Sequence, residues 1–196
     1  NYFEVMSGAI RPAERVGVTI FVGQTVYGIA SFLMLFAVPL LSMGLISGER
    51  KSQTLPFLFS APISLSEIVV GKFLGLILFL SILVAYILLM LSTLNIWSDI
   101  DFGYLLSNSL GLILLAASFS ALGIYFSSLT SQPMVAAILS FIALFALMGL
   151  DKFFGSQPNH WFGYISLMKH FQSFSRGIID SKDIIYFILF ITTFLV

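Results

Sequence analysis

The stretch GERKSQTLPFLFSAPISLSEIVVGK, from Gly48 to Lys72, decides how the chain is arranged, because long apolar runs stand on both sides of it. It carries five of the eighteen charged residues in the chain (nine Lys and Arg plus nine Asp and Glu). Hydrocarbon offers charged groups no hydrogen-bonding partners, so a polar segment in this place must lie at a membrane face. The apolar runs beside it are then predicted to be membrane-spanning helices.

The composition of the whole chain agrees with a membrane protein. Of its 196 residues, 59% are hydrophobic and 9% are charged, whereas soluble domains carry roughly a quarter charged residues. The net charge is zero and no basic block occurs, so a nucleic-acid-binding role has no electrostatic basis. The absence of cysteine excludes disulfides, thiol chemistry and iron–sulfur clusters.

The distribution of apolar residues predicts an all-α, polytopic helical bundle in one transmembrane domain that covers residues 1–196. A spanning helix needs about 20 apolar residues, and the predicted spans are 26–46, 68–97, 105–127, 134–150 and 184–196. Pro39 lies inside the first span and is expected to kink it. The chain begins with Asn1 and ends inside the fifth apolar run, so we expect that both ends were cut from a longer protein.

The polar segment 48–66 is predicted to contain a short amphipathic helix at the membrane surface. Thr54 can cap this helix, and its first turn tolerates Pro56. Ser64 and Glu67 then form a capping box, S-L-S-E, that starts the next long helix. The apolar side of the short helix would consist of Leu55, Leu58 and Phe59.

The second long polar segment, 151–183, is predicted to lie at the opposite membrane face and to contain an amphipathic interfacial helix. The helical spacing of its apolar residues indicates this helix: Trp161, Tyr164, Ile165, Met168 and Phe171. Ser181 with Asp183 is predicted to cap the fifth span.

Small residues mark possible helix contacts. Gly44 with Gly48, and Gly71 with Gly75, have the small-xxx-small spacing that lets helices approach closely. Glycines that are merely tolerated near helix ends are an equal alternative. In the third span, Ala117, Ala121 and Gly123 are predicted to form a small face for packing within the chain.

Catalytic chemistry finds little support in the sequence. The interiors of the predicted spans contain no Asp, Glu, Lys, Arg or His, so an intramembrane proton relay or protease is not indicated. His160 and His170 are ten residues apart, which is not a metal-ligand spacing, and an interfacial or capping role is favoured. Lys72 follows a glycine but lacks the rest of a P-loop. It is expected to extend to the membrane surface from the start of its helix.

Taken as a whole, the opening stretch resembles the ABC type-2 transporter permease family, the membrane subunits of ABC exporters. The family pattern is an acid with a basic residue, then Gly-Thr-Leu, then Leu-x-Ser-x-Pro, and a Gly-Lys at the start of the next helix. Two departures are Gln53, where the family has glycine, and Pro56, where an acid is common. The matching residues here are Glu49, Arg50, Thr54, Leu55, Leu58, Ser60, Pro62, Gly71 and Lys72.

Two later stretches are similar to the gliding-motility or copper-processing type branch of that family. They are GLILLAASFSALGIYFSSLTSQPMVAAILSF, from Gly111, and KHFQSFSRGIIDSKDIIYF, from Lys169. The resemblance implies a six-span subunit, with the first span before Asn1, in the cytoplasmic membrane of a bacterium. It also implies that segment 151–183 lies on the outer side.

The resemblance further implies that two such subunits associate and that each docks a separate cytoplasmic ATPase. Docking is expected at Glu49, Arg50, Thr54, Leu55, Leu58 and Phe59, so this face lies in the cytoplasm. The count of Lys and Arg by face alone gives the opposite orientation. This chain is expected to have no catalytic, cofactor or metal residues, since ATP and Mg would be bound by the partner ATPase.

Two other classes of protein remain as alternatives. A membrane-embedded enzyme or scaffold would use His160 and His170 in the outer segment. An ion-coupled secondary transporter would need polar groups near the middle of the bilayer and, in many folds, internal repeats. The sequence shows neither paired acids nor an internal repeat.

Overall fold

The computed structural model describes residues 12–53, 64–93, 102–154 and 166–195. These residues form α-helices and short connections and no strand, which confirms the predicted all-α helical bundle. In chain order the helices are α1 (Pro12–Ser42), α2 (Ser47–Lys51), α3 (Leu65–Thr93), α4 (Phe102–Leu129), α5 (Pro133–Phe154), α6 (Leu167–Ser175) and α7 (Ser181–Leu195).

Helix α4 is the centre of the bundle and packs against α1, α3, α5, α6 and α7. Within its most apolar window 72% of the residues are buried, against 22% for α3. Its small residues explain this position. Ala121 is fully buried, and a Cβ at Gly123 would collide with the side chain of Ser42 on α1. The small face predicted for this span is therefore confirmed as a site of packing within the chain.

Helix α3 buries only one side. Its buried residues follow helical spacing and lie toward α4: Phe73, Leu76, Leu80, Val84 and Leu91. The other side is apolar and exposed, with Leu78 67% and Tyr86 70% accessible. Such a surface suits lipid or another membrane-embedded chain.

Three stretches of the described residues are long and apolar enough to cross a membrane: Gly23–Lys51, Leu65–Thr93 and Phe102–Leu129. Pro133–Gly149 is a shorter apolar helix. The predicted kink at Pro39 falls close to a helix end, because α1 runs through Pro39 and ends three residues later at Ser42. The last residues of predicted span 26–46 thus form a turn.

Helix α6 lies within the predicted outer segment, 151–183; Trp161, Tyr164 and Ile165 lie outside the described residues. The hydroxyl of Ser166 caps α6 by accepting a hydrogen bond from the backbone N–H of Lys169 (3.3 Å). Its apolar side chains contact the bundle, with Phe174 fully buried against α4, where a Cβ at Gly111 would meet its ring.

The start of α7 differs from the prediction. Asp180 caps the helix, because its Oδ1 accepts a hydrogen bond from the backbone N–H of Lys182 (3.1 Å). The predicted capping pair, Ser181 with Asp183, was wrong. Ser181 is already the first helical residue, and the carboxylate of Asp183 faces α6 and bonds to His170.

Candidate functional site

The polar end of α1 forms a compact unit with α2. The chain leaves α1 at Ser42, makes a turn over residues 43–46, and forms the five-residue helix α2. The backbone N–H of Met43 bonds to the carbonyl of Pro39 (3.0 Å), and the Ser47 hydroxyl donates to the carbonyl of Met43. These bonds satisfy the carbonyls that the end of α1 would otherwise leave without partners. We call residues 43–53 the junction segment.

Lys72, near the start of α3, holds the junction segment from one side. Its ammonium group forms an ion pair with the carboxylate of Glu49 and also donates a hydrogen bond to the backbone carbonyl of Leu45. The side chains of Lys72 and Glu49 are 19% and 31% accessible, so the pair is partly shielded from water. That Lys72 extends to the membrane surface stays a prediction; within the chain its ammonium group is bonded to these two acceptors.

Ser127, near the end of α4, holds the junction segment from the other side. Its hydroxyl oxygen accepts hydrogen bonds from the backbone N–H groups of Ile46 (3.2 Å) and Ser47 (3.1 Å). The same hydroxyl donates to the carbonyl of Met43 (2.9 Å). The side chain is fully buried, so these bonds are shielded from competing water.

Arg50 adds an exposed contact to the same helix end. Its Nη1 donates a hydrogen bond to the carbonyl of Ser128 (3.1 Å). The junction segment is thus bonded both to the first turns of α3 and to the last turn of α4. A displacement of the segment would act on both helices.

Gln53 closes the junction segment in an unusual backbone conformation. Its φ is 55°, in the left-handed region that glycine occupies readily and other residues rarely. Gln53 follows Ser52, the cap of α2, and this is the position at which helices commonly end in a left-handed glycine. A left-handed backbone conformation therefore explains why the family pattern has glycine here. Gln53 adopts this conformation at a cost in conformational free energy.

The capping box at the start of α3 is confirmed. The backbone N–H of Ser64 donates to Oε2 of Glu67 (2.8 Å), and the N–H of Glu67 donates to the Ser64 hydroxyl (3.4 Å). This cap fixes where α3 begins, and so it fixes the height at which Lys72 meets the junction segment.

Four of the six residues predicted to dock an ATPase lie outside the described residues: Thr54, Leu55, Leu58 and Phe59. Their helix stays a prediction. The other two, Glu49 and Arg50, are in the junction segment, where their side chains contact α3 and α4 as described above.

The two glycine pairs predicted to pack helices face open space within the chain. A Cβ at Gly44, Gly48, Gly71 or Gly75 would meet nothing within 4 Å. Close contact at these positions stays a prediction for a second chain. Three other described glycines do need their small size: Gly23 lies against Tyr104, Gly111 against Phe174 and Gly123 against Ser42.

A second polar cluster joins α6 to α7. Nδ1 of His170 lies 2.6 Å from Oδ1 of Asp183, and the His170 ring stacks on Tyr186 with centroids 4.0 Å apart. Both members of the pair are largely buried. Sequence reasoning missed it because the partners stand on separate helices. The arrangement gives His170 a clear structural task, while His160 lies outside the described residues.

Long apolar helices around a central small-residue helix, with polar bonds gathered at the helix ends, define a multi-pass helical membrane protein. The family model described as ABC-2 family transporter protein matches residues 4–174, so the chain belongs to that family. It is accordingly a membrane permease of an ABC transporter, and membership implies association with an ATPase subunit. No curated protein and no solved structure shows significant similarity to the chain.

Proposed function

We propose that this permease is the membrane subunit of an exporter in the cytoplasmic membrane of a bacterium. Two permease subunits would associate, and a separate cytoplasmic ATPase would bind ATP and Mg. The family match supports the permease class. The resemblance of the stretches from Gly111 and Lys169 supports a place in the gliding-motility or copper-processing type branch.

The observation that carries the mechanism is the double attachment of the junction segment. Lys72 bonds the segment to α3, and Ser127 bonds it to α4. The proposed docking helix, around Leu55 and Leu58, directly follows the segment in the chain. When the ATPase closes on ATP, a movement of the docking helix would pass through the segment into α3.

We infer different tasks for the charged residues of the segment. Glu49 is engaged with Lys72, so its proposed role is to transmit movement rather than to contact the ATPase. Lys51 is exposed, which leaves its charge open to a partner's acids. The apolar residues Leu55, Leu58 and Phe59 would supply the contact with a groove on the ATPase.

The test is co-purification of the full chain with its ATPase, followed by ATP hydrolysis in reconstituted vesicles. Leu58→Asp should abolish co-purification while the chain still inserts into the membrane, because an acid cannot enter an apolar groove unpaired. Lys72→Met should keep co-purification and lower the transport obtained per ATP hydrolysed. Unchanged co-purification of Leu58→Asp would refute the docking assignment.

A further inference from the structure

A groove of about 310 Å³ lies between α1 and α6, on the side of the bundle opposite the junction segment. Its rim is polar and comes from both helices. Helix α1 contributes Gln24, Gly28 and Ser31, and the end of α6 contributes Gln172, Ser175 and Arg176. Met168 and Phe171 form an apolar part of the lining.

Gly28 keeps the groove open. A Cβ at this position would meet nothing within 4 Å, although the residue is on a helix that packs tightly elsewhere. Gly23, five residues earlier on α1, differs, because a Cβ there would come within 2.7 Å of the Tyr104 ring. The space beside Gly28 is therefore not needed for contact between helices.

Arg176 brings a positive charge to the groove. It caps the carboxyl end of α6 and is exposed, and among the described residues its guanidinium has no ion pair or hydrogen bond. Among the described residues that line the groove, Arg176 is the only one with a charged side chain. The sequence that follows contains Asp180, Ser181 and Lys182, which places the mouth of the groove at the membrane boundary.

An apolar strip continues from the groove along α1. Gln24, Gly28, Phe32 and Phe36 are four residues apart, so they lie in one row on the helix surface. Phe32 is 55% and Phe36 is 43% accessible. The Phe36 ring also contacts Phe141 of α5, with centroids 5.0 Å apart. A polar, positively charged pocket thus opens directly onto a lipid-facing aromatic strip.

We propose that this groove binds the phosphate group of a lipid, with the acyl chain along Phe32 and Phe36. The guanidinium of Arg176 matches phosphate oxygens with a two-pronged hydrogen-bond geometry. The side-chain amides of Gln24 and Gln172 can donate to the remaining oxygens. The combination selects a phosphate-bearing amphiphile over either a neutral lipid or a free anion.

The experiment is native mass spectrometry of the full-length chain in detergent with three probes: phosphatidic acid, diacylglycerol with the same acyl chains, and inorganic phosphate. Phosphatidic acid should bind, and diacylglycerol should bind at least about tenfold more weakly because it lacks the partner of Arg176. Equal binding of diacylglycerol would overturn the proposal. Displacement of phosphatidic acid by inorganic phosphate at similar concentration would show that the groove binds free phosphate. It would overturn the proposal that the groove binds a lipid.

Two variants and a control locate the site. Arg176→Gln should weaken phosphatidic acid binding about tenfold or more, whereas Lys182→Gln, which removes a charge nearby but outside the groove, should change it less than about twofold. Gly28→Leu should fill the groove and abolish binding. Because its side chain enters open space, the variant should melt at or above the wild-type temperature. Wild-type binding by either groove variant would refute the site.

Discussion

Lys72 and Glu49 stand 23 positions apart and form an ion pair across the junction between α2 and α3. The same ammonium group also bonds to the Leu45 carbonyl, so one side chain joins three parts of the chain. An ion pair near the protein surface contributes about 0–1 kcal/mol. A hydrogen bond from a charged donor contributes about 1.5–3 kcal/mol. The carbonyl bond is therefore expected to dominate the stabilising effect of Lys72.

This ranking can be tested by comparing two single substitutions. Glu49→Gln should lower the free energy of unfolding by about 0.5–1 kcal/mol and Lys72→Met by about 2–3 kcal/mol. The second loss is larger because only Lys72→Met also removes the bond to the Leu45 carbonyl. Thermal denaturation in detergent measures both effects. Lys51→Gln serves as the control. Lys51 lies close in sequence to Glu49 but is exposed, so this change should leave the thermal stability unaltered. Equal losses for Glu49→Gln and Lys72→Met would show that the carbonyl bond contributes little.

Gln53→Gly should stabilise the protein. A non-glycine residue in the left-handed region costs about 1–2 kcal/mol, while glycine loses some of that gain through its greater freedom in the unfolded chain. The expected net gain is about 0.5–1 kcal/mol, measured as a higher melting temperature. Lys51→Gly, inside α2, is the matched control and should destabilise by a similar amount. A lower melting temperature for Gln53→Gly would contradict the strain at this position.

Ser127→Ala should destabilise the junction segment by about 1–3 kcal/mol. The change leaves the backbone N–H groups of Ile46 and Ser47 and the carbonyl of Met43 without the hydroxyl that serves them. Ser128→Ala is a close control, because Arg50 bonds to its backbone carbonyl, which the substitution keeps. Hydrogen exchange of the Ile46 and Ser47 amides would report the local effect. If both variants exchange alike, Ser127 does not hold the segment.

The glycines divide into two experimental groups. Gly123→Ala should destabilise by about 1–3 kcal/mol, since its Cβ would collide with Ser42. Gly75→Ala should leave the melting temperature unchanged or slightly higher, because its Cβ enters open space.

A larger side chain extends the test to a second subunit. Gly75→Leu should leave the monomer intact but weaken association of two permease subunits, measured by chemical cross-linking in membranes. Unaltered cross-linking would remove Gly75 from the proposed contact between subunits.

The sequence predicted the features that depend on neighbouring residues. The capping box at Ser64 and Glu67 is confirmed because its bonds span three positions along one helix. The small face around Gly123 was also predictable, since glycine and alanine on an apolar helix favour close packing.

The features that the sequence did not reveal depend on contacts between distant parts of the chain. The pairing of Lys72 with Glu49, 23 positions earlier, depends on where the junction segment lies, and the sequence does not show that position. At the start of α7, three candidate caps lie within four residues. Asp180 takes the role because His170, on another helix, engages Asp183.

The shallow burial of α3 has an energetic consequence for how this helix can move. In a bilayer, an apolar side chain that leaves a lipid contact can form another of nearly equal free energy. A tilt of α3 therefore exposes little surface to an unfavourable solvent, whereas a shift of α4 would open gaps on all its sides. Besides its packing against α4, α3 is held by a few polar bonds at one end, where a small input of work can set the direction of a tilt.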